Sequence, residues 1–477
     1  MTVNPASSQV RENFGGNYQL RPASWYEPSS EDELLTIMKS VKGRKIRVAG
    51  RLHSWSSVIC GNDVLISLHR FNSIRLETEK AVPSVEIGAG VQIKAILATL
   101  SPLGWTLPSL GLISEQTIAG AISTATHGSG RSSLSHYVTA VRVAIYDRET
   151  GLPVIEEIHS GDALRAVRCS LGSMGVIVSV RMECRRTYRI QEHWSEYQEL
   201  SDVLDSENRY PLQQFFLVPW KWTYLVQHRQ ESDAPRSFLA GIYRIYWFLL
   251  IDLGLHLLLL FAVRLVQSRR FVRLLFRRII PPLVIRNWKV VDDASKMLIM
   301  EHELFRHIET EIFVRRSHVV ECLRYVRHVL SVMGDRDSQI SADLTSQLSG
   351  ISKTSGRVEE LKSLTGTYQH HYPICVRRVQ ADETLISMTA DASGDWYAVS
   401  LISYAKRDDR AGFMVMARFL NETTCELFGT RPHWGKVNFL TADVIRVAWP
   451  EIGQFLTEAN LRDPEHVFRN EVLKELT

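Results

Sequence analysis

Cysteine is sparse and unpatterned in this chain. The six residues, at 60, 169, 184, 322, 375 and 425 of 477, form no CxxC pair and no metal-finger spacing. A disulfide scaffold and a zinc module are therefore excluded, and reduced thiols and no metal site are expected. Net charge is nearly absent as well. Against 56 Lys and Arg stand 52 Asp and Glu, a formal +4 that leaves no electrostatic footprint for nucleic acid at the level of the whole chain. No charged-then-apolar leader opens the sequence, so a cytoplasmic location is expected. Gly88-Ala89-Gly90 lacks the third glycine and the strand-to-helix setting of a dinucleotide fingerprint, which excludes a Rossmann reading. Internal repeats and low-complexity tracts are missing too.

What is present is a long globular chain, 45% hydrophobic and 23% charged, enough for two or three domains. Residues 1–24 read as a polar extension. Ser30 and Glu33 form a capping box that opens an amphipathic helix ended by Gly43. Short strands follow at Ile46 to Ala49, Val64 to Leu68 and Ser84 to Gly88, then a helix from Val91 to Leu100 stopped by Pro102 and Gly104. Val138 to Tyr146 is a strand, Asp162 to Cys169 a short helix, and Leu171 to Val180 a glycine-punctuated turn running into a buried strand. The first domain ends near Thr187. Beyond it, Ile308 to Val314 alternates as a half-buried strand, with a helix from about His318 to Met333. Segments Ile374 to Val379, Thr384 to Thr389 and Trp396 to Ile402 continue an antiparallel sheet.

One stretch is unlike the rest. From Ile245 to Val263 the chain is almost wholly apolar, interrupted by Asp252, Gly254 and His256, and it runs into Arg264, Arg269, Arg270, Arg273, Arg277 and Arg278. Its length suits the ~20 residues needed to span a bilayer. A carboxylate near the centre costs roughly 2.5 to 3.5 kcal/mol on insertion scales. A helical hairpin lying in the membrane surface, with arginines on phosphates, fits better. The alternative is a buried helix pair.

Three segments carry chemistry. Val48 to Ser56 is a strand breaking into a glycine turn that presents His53. Ile113 to Gly130 is rich in Gly, Ala, Ser and Thr and contains Thr126-His127-Gly128-Ser129. Arg431-Pro432-His433-Trp434-Gly435-Lys436 lies near the C-terminus, followed by Asp463-Pro464-Glu465-His466-Val467-Phe468-Arg469-Asn470. In this order they resemble the sugar-1,4-lactone and alditol oxidase family, the L-gulonolactone oxidase-like branch of the vanillyl-alcohol oxidase and p-cresol methylhydroxylase (PCMH) flavoprotein superfamily.

The resemblance implies an α+β, two-domain flavoprotein. A PCMH-type FAD-binding domain would occupy residues 25–187, an α+β substrate or cap domain residues 188–430 with an apolar membrane-facing insert at 240–285, and residues 431–477 would return to the flavin. FAD carries a pyrophosphate that backbone N–H groups neutralise where side chains stay small. The implied cofactor set is Gly50, Arg51, Leu52, His53, Ser54, Trp55, Gly111, Ser114, Thr117, Gly120, Thr124, Thr126, His127, Gly128, Ser129, Gly175, Ile177, Lys436 and Asn470. His53 would bond covalently to the ring, although Arg51, Leu52 and Trp55 replace the family's usual small neighbours. His127 would brace its loop. Gly111 would admit dioxygen to the flavin, or simply serve the turn after Pro108.

Lys436, Arg377 and His433 would orient and polarise the substrate. The implied reaction is oxidation of a C–OH substrate by hydride transfer to flavin N5, with dioxygen reduced to hydrogen peroxide. One departure stands out: Cys375-Val376-Arg377 replaces the family's Glu-x-Arg. A thiol does not accept hydrogen bonds from a polyol as a carboxylate does. Either Glu309 or Glu311 supplies the charge, or the substrate is a larger lipophilic molecule handled by an oxidase or dehydrogenase. Peripheral membrane contact through 240–285 is expected and nucleic acid is not. A non-catalytic flavin protein is the remaining rival.

Overall fold

The computed structural model describes residues 10–474 and 476, apart from 62, 80, 301–304, 352–355 and 392–393. The first nine residues of the expected 1–24 extension lie outside that set. Ser30 caps the helix Glu31–Ser40 by accepting from the Glu33 N–H, and the helix buries Leu34, Ile37 and Met38. The strands Ser24–Tyr26, Val64–Ser67 and Ile46–Ala49 form a small parallel sheet. Beside it stands a five-stranded antiparallel sheet in the order Pro153–Ile158, Val138–Tyr146, Val176–Glu183, Ser84–Gly88, Ile74–Glu77. One hydrophobic core joins these elements and also takes in Trp434, Trp449, Phe455 and Phe468, so the chain's end packs on its beginning.

The second half is built on an eight-stranded sheet, ordered Val290–Asp293, Arg189–Tyr197, Tyr224–Ser232, Gln214–Leu217, Ile374–Gln380, Asp395–Ser403, Ile308–Arg315, Arg431–Pro432. Successive side chains on a strand point to opposite faces. Phe215, Val226, Ile312, Val314, Val376 and Val399 therefore pack on one side, against the helices Val319–Gly334 and Ala411–Phe428. Their alternates face the other side, where the cavity lies. Thr384 to Thr389 does not continue this sheet. Asp382 instead collects hydrogen bonds from Ser133, Thr384, Ser387 and Thr389, and closing them bends the segment into a compact turn.

The apolar run does form a helical hairpin. A 27-residue helix, Ala240–Val266, wound in part with π-type hydrogen bonds, is long and apolar enough to cross a membrane, with mean hydropathy 2.2. It reverses at Gln267, whose φ of 49° is left-handed, and Ser268 caps the returning arm over residues 269–283. Leu255, Leu259 and Ala262 pack on Val272, Leu275, Phe276 and Ile280, above Trp194, Val218 and Trp220 of the cap. The outer face of the hairpin is left bare.

Candidate active site

Strand alternation gathers the polar groups. Glu311, Ser400 and Cys375 are register partners across three neighbouring strands, and Arg377 lies opposite Gln214 one step along. Arg377 Nη2 donates to Glu311 Oε1 at 3.2 Å, and Ser400 Oγ lies 2.9 Å from the same oxygen. His127 Nε2 is 3.4 Å and His433 Nε2 4.0 Å from Glu311 Oε2. Lys436 Nζ pairs with Glu309, and the single hydroxyl hydrogen of Ser400 lies between the Glu309 and Glu311 carboxylates. Every one of these groups lines one cavity of about 730 Å³.

Burial alone would raise the Glu311 carboxyl, but His127 first, then Arg377 and Lys436, hold it well below the usual carboxylate range. Glu311 is therefore a buried anion near the Cys375 thiol, on a strand two places away. Burial is the chief cause holding the His433 imidazole well below its ordinary value, so it stays neutral. Its Nδ1 accepts the Gly435 N–H at 2.9 Å, which assigns the ring hydrogen to Nε2, facing Glu311. The Cys375 thiol is pushed up to about 11 by burial and remains uncharged. Among the described residues, the ligand atoms of His127, Glu311 and His433 lie within 4.8 Å of one another. With Arg377 bonded to Glu311 and Lys436 beside Glu309, two cations already occupy this carboxylate pair, an arrangement unfavourable to a dication.

The other end of the cavity is a nucleotide-sized cradle. Gly50 lets its turn close on Thr117: a Cβ there would lie 2.5 Å from Thr117 Oγ1. Leu52 takes a left-handed φ of 55°. His53 stacks on Phe14 with centroids 5.0 Å apart and planes at 24°. The unexpected Trp55 has a use, since its indole donates to the His307 carbonyl at 2.9 Å and its ring lies 4.5 Å under the Lys436 ammonium. The fit to FAD is good. A continuous path of small residues and backbone leads from Gly50 through Thr117, Gly120 and Thr124 to Lys436, with a cation and an imidazole at the reacting end.

Of the residues named from sequence, Gly50, Arg51, Leu52, His53, Ser54, Trp55, Gly111, Thr117, Gly120, Thr124, Thr126, His127, Gly175, Ile177, Arg377, His433 and Lys436 all line this cavity. Ser114, Gly128, Ser129 and Asn470 do not. Gly128 is packed so that a Cβ would come 2.2 Å from the Leu110 carbonyl, Ser129 bonds to Gln213, and Asn470 braces Leu171 from behind at 2.9 Å. Gly111 fits both of its readings: it lines the cavity, and an added methyl would press at 3.2 Å on His127 O and Thr126 Cγ2. Ala89 and Gly90, set aside as a failed fingerprint, line the wall, and the signal was close packing, since a Cβ at Gly90 would sit 1.9 Å from Leu68 O. Gln214, Gln227, Arg229 and Glu192 were missed, because polar residues in alternating strands read from sequence as ordinary surface, and Tyr372 because it lies in the bend before the strand Ile374–Gln380.

A PCMH-type fold with this cavity defines an FAD-dependent oxidoreductase. The model of an FAD binding domain matches residues 22–149, and the model of D-arabinono-1,4-lactone oxidase matches residues 178–476. The chain thus belongs to the D-arabinono-1,4-lactone oxidase family and is an FAD-dependent oxidase of the aldonolactone and alcohol oxidase type. It is 50% identical over 466 residues to a long-chain alcohol oxidase of an uncultured marine euryarchaeote, covering 98% of this chain and 96% of that one. It is 23% identical to L-gulonolactone oxidase of Mus musculus, over 98% and 97% of the two chains. Among solved structures, cholesterol oxidase from B. sterolicum superposes with a TM-score of 0.74 at 14% identity, over 98% and 96%, a likeness of fold.

Proposed function

We propose that the enzyme oxidises long straight-chain primary alcohols to aldehydes, with dioxygen as acceptor and hydrogen peroxide as second product. One observation carries this reading: the cavity is divided. Glu311, Ser400, Arg377, Lys436 and His433 make a polar end, and Cys375, Phe216, Leu225 and Trp194 continue from it as a mainly apolar floor beneath Trp247, Ile251, Leu255, Ile280 and Val284 of the hairpin, the floor's polar members being spent on one another in the Glu192–Arg229 ion pair and the Gln214–Gln227 hydrogen bond. A hydroxyl fits the first part and an alkyl chain the second. A sugar lactone carries hydroxyls around its whole ring, and those against Phe216, Leu225, Trp194 and the hairpin's apolar residues would lose water without gaining partners, about 1–3 kcal/mol each. The long-chain alcohol oxidase relative supports the same choice. The lactone-oxidising relatives support the rival, a small polyol or lactone substrate.

Bound FAD supplies the two-electron acceptor. Around it, Arg377 holds the substrate oxygen beside Glu311, and the Glu311 carboxylate, already stripped of its own proton, takes the hydroxyl proton. Lys436 places a cation where negative charge develops on the cofactor. We further propose that His53, fixed by stacking on Phe14, carries the FAD covalently, and that the cytoplasmic enzyme docks on membranes through the hairpin without spanning them. The packing of Leu255, Leu259 and Ala262 with Trp194, Val218 and Trp220 of the cap supports the peripheral arrangement, because it holds one side of the helix on protein along its length. Incubating the holoenzyme with hexadecanol in air should yield hexadecanal and peroxide in equal amounts. Peroxide from L-gulono-1,4-lactone and none from hexadecanol would favour the lactone reading.

A further inference from the structure

The hairpin wall over the apolar chamber is one helix thick. Along Ala240–Val266, Trp247, Phe248, Ile251 and Leu255 line the cavity, while Ile242, Ile245, Leu249, Leu257 and Leu265, on the other faces, are 51–73% exposed. A cap helix in water has no use for two apolar faces. Phe248 belongs to both surfaces: it lines the chamber and is 39% exposed. The returning arm repeats the pattern, with Ile280, Leu283 and Val284 inside and Leu274 and Ile279 outside. From residue 240 to 291 the chain holds one carboxylate, Asp252, against eight arginines and Lys289. Of these, Arg270, Arg277, Arg278 and Lys289 are exposed. That charge suits an anionic lipid surface.

Resting on the long-chain alcohol reading, we propose that this wall is the substrate entrance, seated in the outer layer of an anionic leaflet. Phe248 is the side chain that an alkyl chain displaces as it passes sideways from lipid into the cavity. The alcohol then never crosses bulk water. Its tail slides along the inner face of the same helix whose outer face touches the leaflet, and the hydroxyl arrives first at Arg377 and Glu311.

The test compares two deliveries of substrate to the holoenzyme: hexadecanol dissolved in phosphatidylcholine vesicles containing phosphatidylglycerol, and hexanol free in solution. The outer-face pair Leu249→Glu with Leu257→Glu touches neither the cavity nor the flavin. It should lower kcat/KM for vesicle-borne hexadecanol about tenfold or more, since each burial lost is worth at least that factor, and leave hexanol turnover and flavin content near wild type. Phe248→Trp should lower hexadecanol kcat/KM at unchanged kcat. Equal rates for the pair and wild type on vesicles, or equal losses on both alcohols, would overturn the entrance. Co-sedimentation with the vesicles needs no turnover and reads the surface separately: wild type should pellet and the pair should not. Wild type left in the supernatant overturns the proposal. If wild type pellets yet neither alcohol is oxidised in detergent micelles, the substrate reading has failed, and the entrance falls with it while the lipid surface stands.

Discussion

Ser54 Oγ donates a 3.0 Å hydrogen bond to the carbonyl of Gly435, 381 positions further along the chain. Trp55 N–H donates to the same oxygen at 2.8 Å, and Ser56 Oγ to the Trp434 carbonyl. The turn that presents His53 is thus sewn to the segment that presents His433 and Lys436. The proposed flavin attachment point and the reacting end of the site are placed by one set of bonds, so a fault in either motif should be felt in both.

Covalent attachment at His53 gives the first prediction. Denatured, acid-precipitated protein should keep its yellow colour and its in-gel fluorescence, and His53→Ala should lose both while folding normally. Colour released wholly into the supernatant of the unaltered protein would refute the linkage.

Glu311 is the expected proton acceptor. Glu311→Gln keeps the shape and the Ser400 contact but removes the charge, and should lower kcat by about 10²- to 10⁴-fold with the flavin still bound. Cys375→Glu should act beside it, setting another carboxylate against Ser400 and Arg377, and should lower kcat/KM about tenfold or more for long and short alcohols alike by charging a buried site. A Glu311→Gln enzyme turning over within twofold of wild type would remove the residue from the chemistry.

Gly111→Ala should slow reoxidation of the reduced enzyme by air while anaerobic reduction keeps most of its rate. Because the new methyl presses on His127 O, some loss in the reductive step is expected too. Rapid-mixing traces for the two half-reactions separate these effects. Unchanged reoxidation would leave Gly111 as a turn residue.

The arginines after the apolar run divide into two groups. Arg269 donates to the Gly366 carbonyl, Arg273 to that of Gly334, Arg264 to that of Tyr404 and Arg277 to that of Trp220, so the expectation that all six face lipid phosphates is corrected: these four cap cap-domain carbonyls. Arg270→Glu with Arg278→Glu should weaken vesicle binding in a salt-sensitive way, each arginine being worth about 1 kcal/mol at such a surface, at unchanged melting temperature. Arg273→Glu should instead lower the melting temperature. The reverse pattern would contradict the assignment.

Stability should fall with acid. Burial pushes His228 and His371 down to about 4, His307 and His370 to about 3, and His433 in the same direction. Below an ordinary histidine value near 6.5 the unfolded chain takes up protons that the native protein refuses. The stabilisation is therefore complete above about pH 6.5 and is lost as pH falls, by about 2 kcal/mol per histidine at pH 5. Melting temperatures measured from pH 8 to 5 should be flat, then drop steeply. A flat curve throughout would mean that these rings protonate without unfolding.

The strand alternation from Ile308 to Val314 and at Cys375-Val376-Arg377 was legible from sequence, and it already put Glu309, Glu311, Cys375 and Arg377 on one side of their strands. What was not legible was which strands are neighbours. Nothing in the local pattern places Glu311 next to Ser400, itself next to Cys375; the sheet order brings both Glu309 and Glu311 to that serine. Thr384 to Thr389 misled because its β-branched and apolar residues suit a strand, while the Asp382 carboxylate that bends it makes its bonds to hydroxyls on both sides of the turn. The hairpin was readable from length and from the arginines, but the division of its two faces between cavity and exterior needed the fold.

The proposed selection of a hydroxyl on a long apolar chain is read most directly from the rate of anaerobic bleaching of the flavin on mixing with primary alcohols of increasing length, and with L-gulono-1,4-lactone and an alditol. The second-order rate of bleaching should climb with each added methylene, roughly threefold to fourfold per ~0.8 kcal/mol buried, until the chamber is filled, with the lactone and alditol far slower. Rapid bleaching by the lactone or alditol, together with no dependence on chain length, would contradict it.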